Sequence, residues 1–212
     1  MTTTLPGSSP FDTLKRFARK RSNEQRCELC GNVVAAEHEH LVEIANRRLV
    51  CCCGACAILF SGRQNARYRR VPRSATVLDG FKMEDEVWDR LHIPINLAFF
   101  FHSTSAERVV AMYPSPAGPT ESLLPLEAWN DLVAANPVLS ELEPDVEALL
   151  VKRLAPSPEY FRVPIDKCYE LVGVIRTHWR GLSGGTEVWH HIGEYFASLR
   201  QRSGSQQGDS HA

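Results

Sequence analysis

Long hydrophobic runs are missing from this 212-residue chain: the longest, around residues 95–101, has the length of a strand. A membrane-spanning helix needs roughly 20 apolar residues, so no span is expected. The opening Met-Thr-Thr-Thr-Leu-Pro-Gly-Ser-Ser-Pro has neither the basic start nor the apolar middle of a secretory signal, and a cytoplasmic location is expected. Also absent are a Walker loop, a dinucleotide fingerprint, a nucleophile elbow and any internal repeat. What remains, at 43% hydrophobic and 23% charged residues, is the composition of a globular protein large enough to bury a core.

Cysteine is scarce over most of the chain and crowded in one place, with six of seven inside residues 27–56. In a cytosolic chain such crowding argues against disulfides, because thiols stay reduced there, and points to metal. Cys168 stands alone in an apolar helical pattern and reads as a small buried hydrophobe.

The strongest pattern is Cys27-Glu-Leu-Cys30-Gly31 followed by Cys53-Gly-Ala-Cys56. A Cys-x2-Cys turn aims both thiolates at one ion, and the glycine relieves a positive φ. Two such pairs complete a tetrahedral four-sulfur shell with no open position, the arrangement of structural zinc. A [2Fe–2S] cluster also takes four thiolates, so an iron–sulfur or other redox centre stays open as an alternative. Cys51, Cys52, His38 and His40 exceed a four-ligand site. Either Cys51 or His40 can replace one of the four, or a second ion can be held. On a strand His38 and His40 alternate, so only one of them is expected to face the ion.

Strand-like stretches at 40–44 and 47–51 flank an Ala45-Asn46 turn, and residues 57–60 extend a helix begun at Cys53. Knuckle, hairpin and helix in that order are the layout of a treble clef. HNH-type nucleases share the layout but carry a metal-binding histidine after the last cysteine; Ala57 stands there, which argues against a nuclease.

Charge is segregated. Residues 1–80 hold 13 Lys and Arg against 7 Asp and Glu, and residues 81–212 hold 11 against 18. The basic foci are Lys15 to Arg26 before the cysteines, and Arg63, Arg67, Arg69, Arg70 and Arg73 after them. They suit either a solvated face docked on the acidic half or a surface for nucleic acid or an acidic protein.

The expected organisation is α+β: a small treble-clef or zinc-ribbon-like module followed by a small sheet packed with helices. Residues 1–26 form a basic arm with a helix through Phe11, Leu14 and Phe17. Residues 27–60 are the metal module, 61–80 a basic connector, 81–200 the α+β domain and 201–212 a disordered tail. Two core strands, at 95–101 and 108–113, form a hairpin. A loop punctuated by Pro114, Pro116, Gly118 and Pro119 follows. Pro125 starts a helix that Asn136-Pro137 ends, and Pro144 starts another through Val146, Leu149, Leu150 and Leu154. A strand at 160–163 precedes a helix opened by Pro164, with Gly181 suited to its C-terminal cap. Thr186 caps a last helix carrying Val188, Trp189, Ile192, Phe196 and Leu199. Ser183-Gly184-Gly185 before it reads as an interhelix turn rather than an anion cradle. His102, His178, His190 and His191 find no partner at ligand spacing.

Several segments together resemble a bacterial family, domain of unknown function 5947. They are Cys27-Glu-Leu-Cys-Gly, His-x-His-Leu-Val, Cys-x-Cys-x2-Cys running into Leu-Phe, Tyr113-Pro-Ser-Pro-Ala-Gly-Pro-Thr-Glu-Ser-Leu, Asn136-Pro-Val-Leu and His178-Trp-Arg-Gly-Leu-Ser-Gly-Gly. The resemblance runs from about residue 20 to 200. It implies genes beside those of nickel–iron hydrogenases, hence an accessory role in hydrogenase assembly or maturation. It also implies a candidate ligand set of Cys27, Cys30, His40, Cys51, Cys53 and Cys56, with Cys52 a local extra. The expectation is a non-enzymatic, zinc-binding accessory protein whose partner is a hydrogenase subunit or maturation factor. An iron–sulfur, redox or metallochaperone protein and a nucleic-acid-binding regulator are the alternatives.

Overall fold

The computed structural model describes residues 24–61, 67–123, 126–154, 156–181 and 184–206; the helix expected in the basic arm lies outside them. The architecture is α+β, with two antiparallel sheets. A three-stranded sheet has the order β2-β1-β3, where β1 is Glu39–Glu43, β2 Arg48–Cys52 and β3 Tyr68–Arg70. Helix α1 (Gly54–Ser61) leads out of β2. The six-stranded sheet runs β4-β9-β8-β5-β6-β7, from β4 (Thr76–Val77) and β9 (Glu159–Pro164) through β8 (Glu147–Lys152) and β5 (Leu97–Ser103) to β6 (Arg108–Ser115) and β7 (Gly118–Ser122).

The larger sheet is covered on both faces. On one side Leu97, Phe99, Phe101, Ala148 and Leu150 meet the apolar stripes of α4 (Ile165–His178) and α5 (Gly185–Gln206). On the other Ala98, Phe100, Leu149 and Val151 meet α2 (Asp85–Arg90) and α3 (Leu126–Ala135). Alternation along a strand sends neighbouring side chains to opposite faces, so a strand between two helical layers must be apolar throughout.

That requirement explains the main correction. Residues 144–154 were expected to form a helix, but the segment carries β8 at Glu147–Lys152, whose six residues are all buried. A short continuous apolar run serves a two-faced strand and a buried helix equally well. The expected loop around Pro114 is instead the tight β6–β7 connection, in which Pro114 and Pro119 sit opposite each other. Neither proline has an N–H to offer, and β7 is an edge strand, where proline is tolerated. The segment 61–80, expected as a connector, adds a strand to each sheet, β3 and β4. Residues 201–206, expected in a disordered tail, continue α5. Among the described residues no helix is long and apolar enough to cross a membrane.

The small sheet leans on the large one. Val42 joins the core beneath α4 and α5, and Leu49 packs against it. Asp145, buried in the turn before β8, accepts hydrogen bonds from Thr104 N (2.8 Å) and Oγ1 (2.6 Å) and lies 3.6 Å from Arg69 Nε. Arg69 also donates to the Pro144 carbonyl at 3.1 Å.

Candidate metal centre

The first cysteine pair lies in a knuckle closed by its own backbone. Cys27 N donates to Asn32 O and Gly31 N to Cys27 O, both at 2.8 Å. Gly31 takes φ +78°, which a side chain would strain. The knuckle is stitched to the end of β2: Glu28 N donates to Cys51 O at 2.9 Å, and Cys51 N returns a bond to Glu28 Oε1 at 2.8 Å. The second pair occupies the start of α1, where Ala57 N donates to Cys53 O at 2.9 Å. These bonds bring together two cysteine pairs separated by 22 residues.

All four sulfurs, of Cys27, Cys30, Cys53 and Cys56, lie within 4.8 Å of one another, and Cys30 Sγ is 3.7 Å from Cys53 Sγ. A tetrahedron with metal–sulfur bonds of about 2.3 Å has edges of about 3.8 Å, so the set fits one ion. Burial opposes ionisation of Cys27, yet the backbone N–H groups of Cys53, Cys30 and Leu29 outweigh it and bring its pKa down to about 6. Burial, and then its neighbouring thiols, push Cys56 up. A divalent cation reverses that second effect, because it stabilises every thiolate it touches. The helix N-terminus at Cys53 and Cys56 favours negative charge in the same place.

His40 and Cys51, expected as alternates for one of the four, lie elsewhere. Val50 and Cys52 point into the small core with Leu41, whereas Cys51 is on the opposite face of the hairpin. There His38, His40 and Cys51 converge, each offering a ligand atom within 4.8 Å of the others. His38 was expected to alternate with His40 along a strand. It precedes β1, so strand alternation does not apply, and the two rings stand 4.6 Å apart. Cys52 is buried and its thiol faces Glu39 O at 3.4 Å. Cys168 is fully buried beneath α5.

A third group was not expected from the sequence. His178 at the end of α4 lies against His191, with ring centroids 3.7 Å apart and the rings tilted by 34°, beside Glu187. The i, i+4 spacing of Glu187 and His191 on one helix face was the available signal. The group lies on the surface, with Glu187 exposed.

The basic focus after the cysteines is largely neutralised within the chain. Arg67 pairs with Glu43, Arg70 and Arg73 with Glu39, and Arg69 with Asp145. Arg63 lies outside the described residues.

A protein-family model, Family of unknown function (DUF5947), matches residues 26–203. The chain belongs to this family. The DUF5947 match begins at the knuckle and ends within α5, so it takes in both cysteine pairs, His38, His40 and both sheets. No curated protein and no solved structure matches the chain.

Proposed function

We propose that this DUF5947 chain is a non-enzymatic cytoplasmic accessory protein whose Cys27, Cys30, Cys53 and Cys56 hold one structural zinc ion in a treble-clef-like module. The observation that carries the reading is the convergence of four sulfurs within 4.8 Å, which leaves no open position on the ion. A [2Fe–2S] cluster spreads its thiolates over two irons and fits that spacing less well than one ion does. A closed shell stabilises a fold and does no chemistry of its own, so the module serves by the surface it presents.

Helix α1 offers such a surface. Ile58 and Leu59 are 70% and 72% exposed, and Phe60 is 45% exposed, beside the zinc ligands. Adjacent exposed apolar side chains of this size mark a protein contact. The family resemblance supplies the setting, assembly or maturation of a nickel–iron hydrogenase, with a hydrogenase subunit or maturation factor as partner. The pairing of Arg67, Arg69, Arg70 and Arg73 with carboxylates supports this reading over nucleic-acid binding, which needs free cations.

The test is affinity purification of the tagged chain together with deletion of its gene. The expected result is recovery of a hydrogenase component, and lowered hydrogenase activity with hydrogenase transcripts intact. Ile58→Glu with Leu59→Glu should cut that recovery while leaving the zinc in place. Loss of the transcripts, with promoter DNA bound by the purified protein at physiological salt, would replace the assembly reading with a regulatory one.

A further inference from the structure

The hairpin has two faces, and the four-cysteine group uses one. On the other, His40 and Cys51 are a cross-strand pair in register, which holds their Cβ atoms about 5 Å apart. His38 lies beside them, reaching in from the segment before β1 with its ring tilted 59° to that of His40. We propose that His38, His40 and Cys51 form a second metal site, for a zinc-class divalent cation, with one coordination position open to the adjacent cavity.

The hydrogen bonds prepare both rings for this role. His38 Nδ1 lies 3.0 Å from the Ala35 carbonyl, and His40 Nδ1 lies 3.0 Å from Asp166 Oδ2. A carbonyl and a carboxylate only accept, so in the neutral rings that bind a metal Nδ1 carries the proton and Nε2 presents its lone pair. A carbonyl or carboxylate behind each ring is what orients histidine ligands in metal sites and raises their basicity. His38 Nε2 is buried and has no hydrogen-bond partner among the described residues. Buried acceptors are otherwise almost always paired, so this atom lacks something that binds a lone pair.

A plain contact between the module and α4 accounts for the His40–Asp166 pair. It does not account for the orphaned His38 nitrogen or for a thiol within 4.8 Å of both rings. Two imidazoles and one thiolate suit zinc and its late first-row neighbours, not magnesium or calcium. The three side chains line a cavity of about 550 Å³, which Asp166 and Tyr169 of α4 also line. Three protein ligands beside a cavity leave the fourth position to water or a small ligand, unlike the closed four-sulfur shell.

The experiment is an anaerobic zinc titration of the full-length chain, with bound metal counted by native mass spectrometry and affinity read by competition with a chromogenic chelator. Wild type should take two zinc ions. Cys51→Ser and His38→Ala should take one, with an unchanged circular dichroism spectrum. Asp166→Ala keeps all three ligands and should weaken only the second ion, by about 10- to 100-fold, with Asp166→Asn partly restoring it. Cys27→Ser should lose the other ion, so the two sites fail separately. A folded wild type that takes no more than one zinc overturns the proposal. So does a Cys51→Ser protein that still takes two, or an Asp166→Ala protein whose zinc affinities are both unchanged.

Discussion

The two sheets are held together by different physics. The six-stranded sheet carries apolar side chains on both faces, with Phe99, Phe100 and Phe161 of its strands and Phe196 of α5 fully buried. Each such side chain contributes about 1.5–3 kcal/mol when removed from water. The three-stranded sheet has a core of only seven residues, three of them cysteines: Cys27, Leu41, Val50, Cys52, Cys56, Ala57 and Tyr68. Ordering backbone costs roughly 1–2 kcal/mol per residue, so a core this small needs a staple. On the function proposed above, a zinc staple and a ring of ion pairs replace the apolar mass that the larger sheet has in excess.

Breaking the staple should have the largest effect and a local one. Cys56→Ser is expected to release the zinc and forfeit most of the roughly 10–16 kcal/mol that such an ion contributes to a small site. Hydrogen exchange should then show β1, β2 and α1 opening while β5 and β8 stay protected. Equal loss of protection in both sheets would dissolve the contrast between them. Next in size is Phe99→Ala in the six-stranded sheet, expected to cost about 3–5 kcal/mol in urea unfolding with zinc content unchanged. Phe99 is fully buried between β8 and α4, where little can collapse into the space.

The joint between the regions should be weaker than either. Asp145→Ala leaves Thr104 N without its acceptor, at a cost of about 1–3 kcal/mol. Ala also tolerates the φ of +67° poorly, whereas Asn adopts it readily, so Asp145→Asn should cost less.

How far these regions could be read from sequence follows the same division. The module is built from local signals, paired cysteines, a turn at Ala45-Asn46 and a glycine at 31, and each falls where the spacing places it. The six-stranded sheet depends on partners distant in sequence. The segment Glu147–Lys152 reads as a helix until strands on either side and helices on both faces are known. The gathering of His38 with His40 and Cys51 was hidden for the same reason: it depends on the chain leaving strand geometry just before Glu39, and on Asp166 arriving from α4.

Acid should act on the small sheet's carboxylates. The Asn46 amide, then Arg67, hold the Glu43 carboxyl below its ordinary pKa. A lowered pKa in the folded state contributes stability that is fully present above the unfolded value, about 4.3, and is lost as pH falls through the folded one. Glu43→Gln should therefore lower the module's stability at neutral pH and flatten its acid limb, so that variant and wild type converge as pH falls below about 4.3. The smallest effect on metal is expected from Cys168→Ser. Its thiol is fully buried in the larger core, and metal analysis should find the zinc content of wild type.

Zinc-edge X-ray absorption on protein purified anaerobically and dialysed against a chelator tests the staple most directly. Dialysis should strip the second site proposed above and leave the four-cysteine one. The expected result is a colourless protein with one zinc surrounded by four sulfur atoms at about 2.3 Å, and no nitrogen in the shell. Stoichiometric iron with visible absorption, or a retained zinc with a mixed nitrogen and sulfur shell, would contradict it.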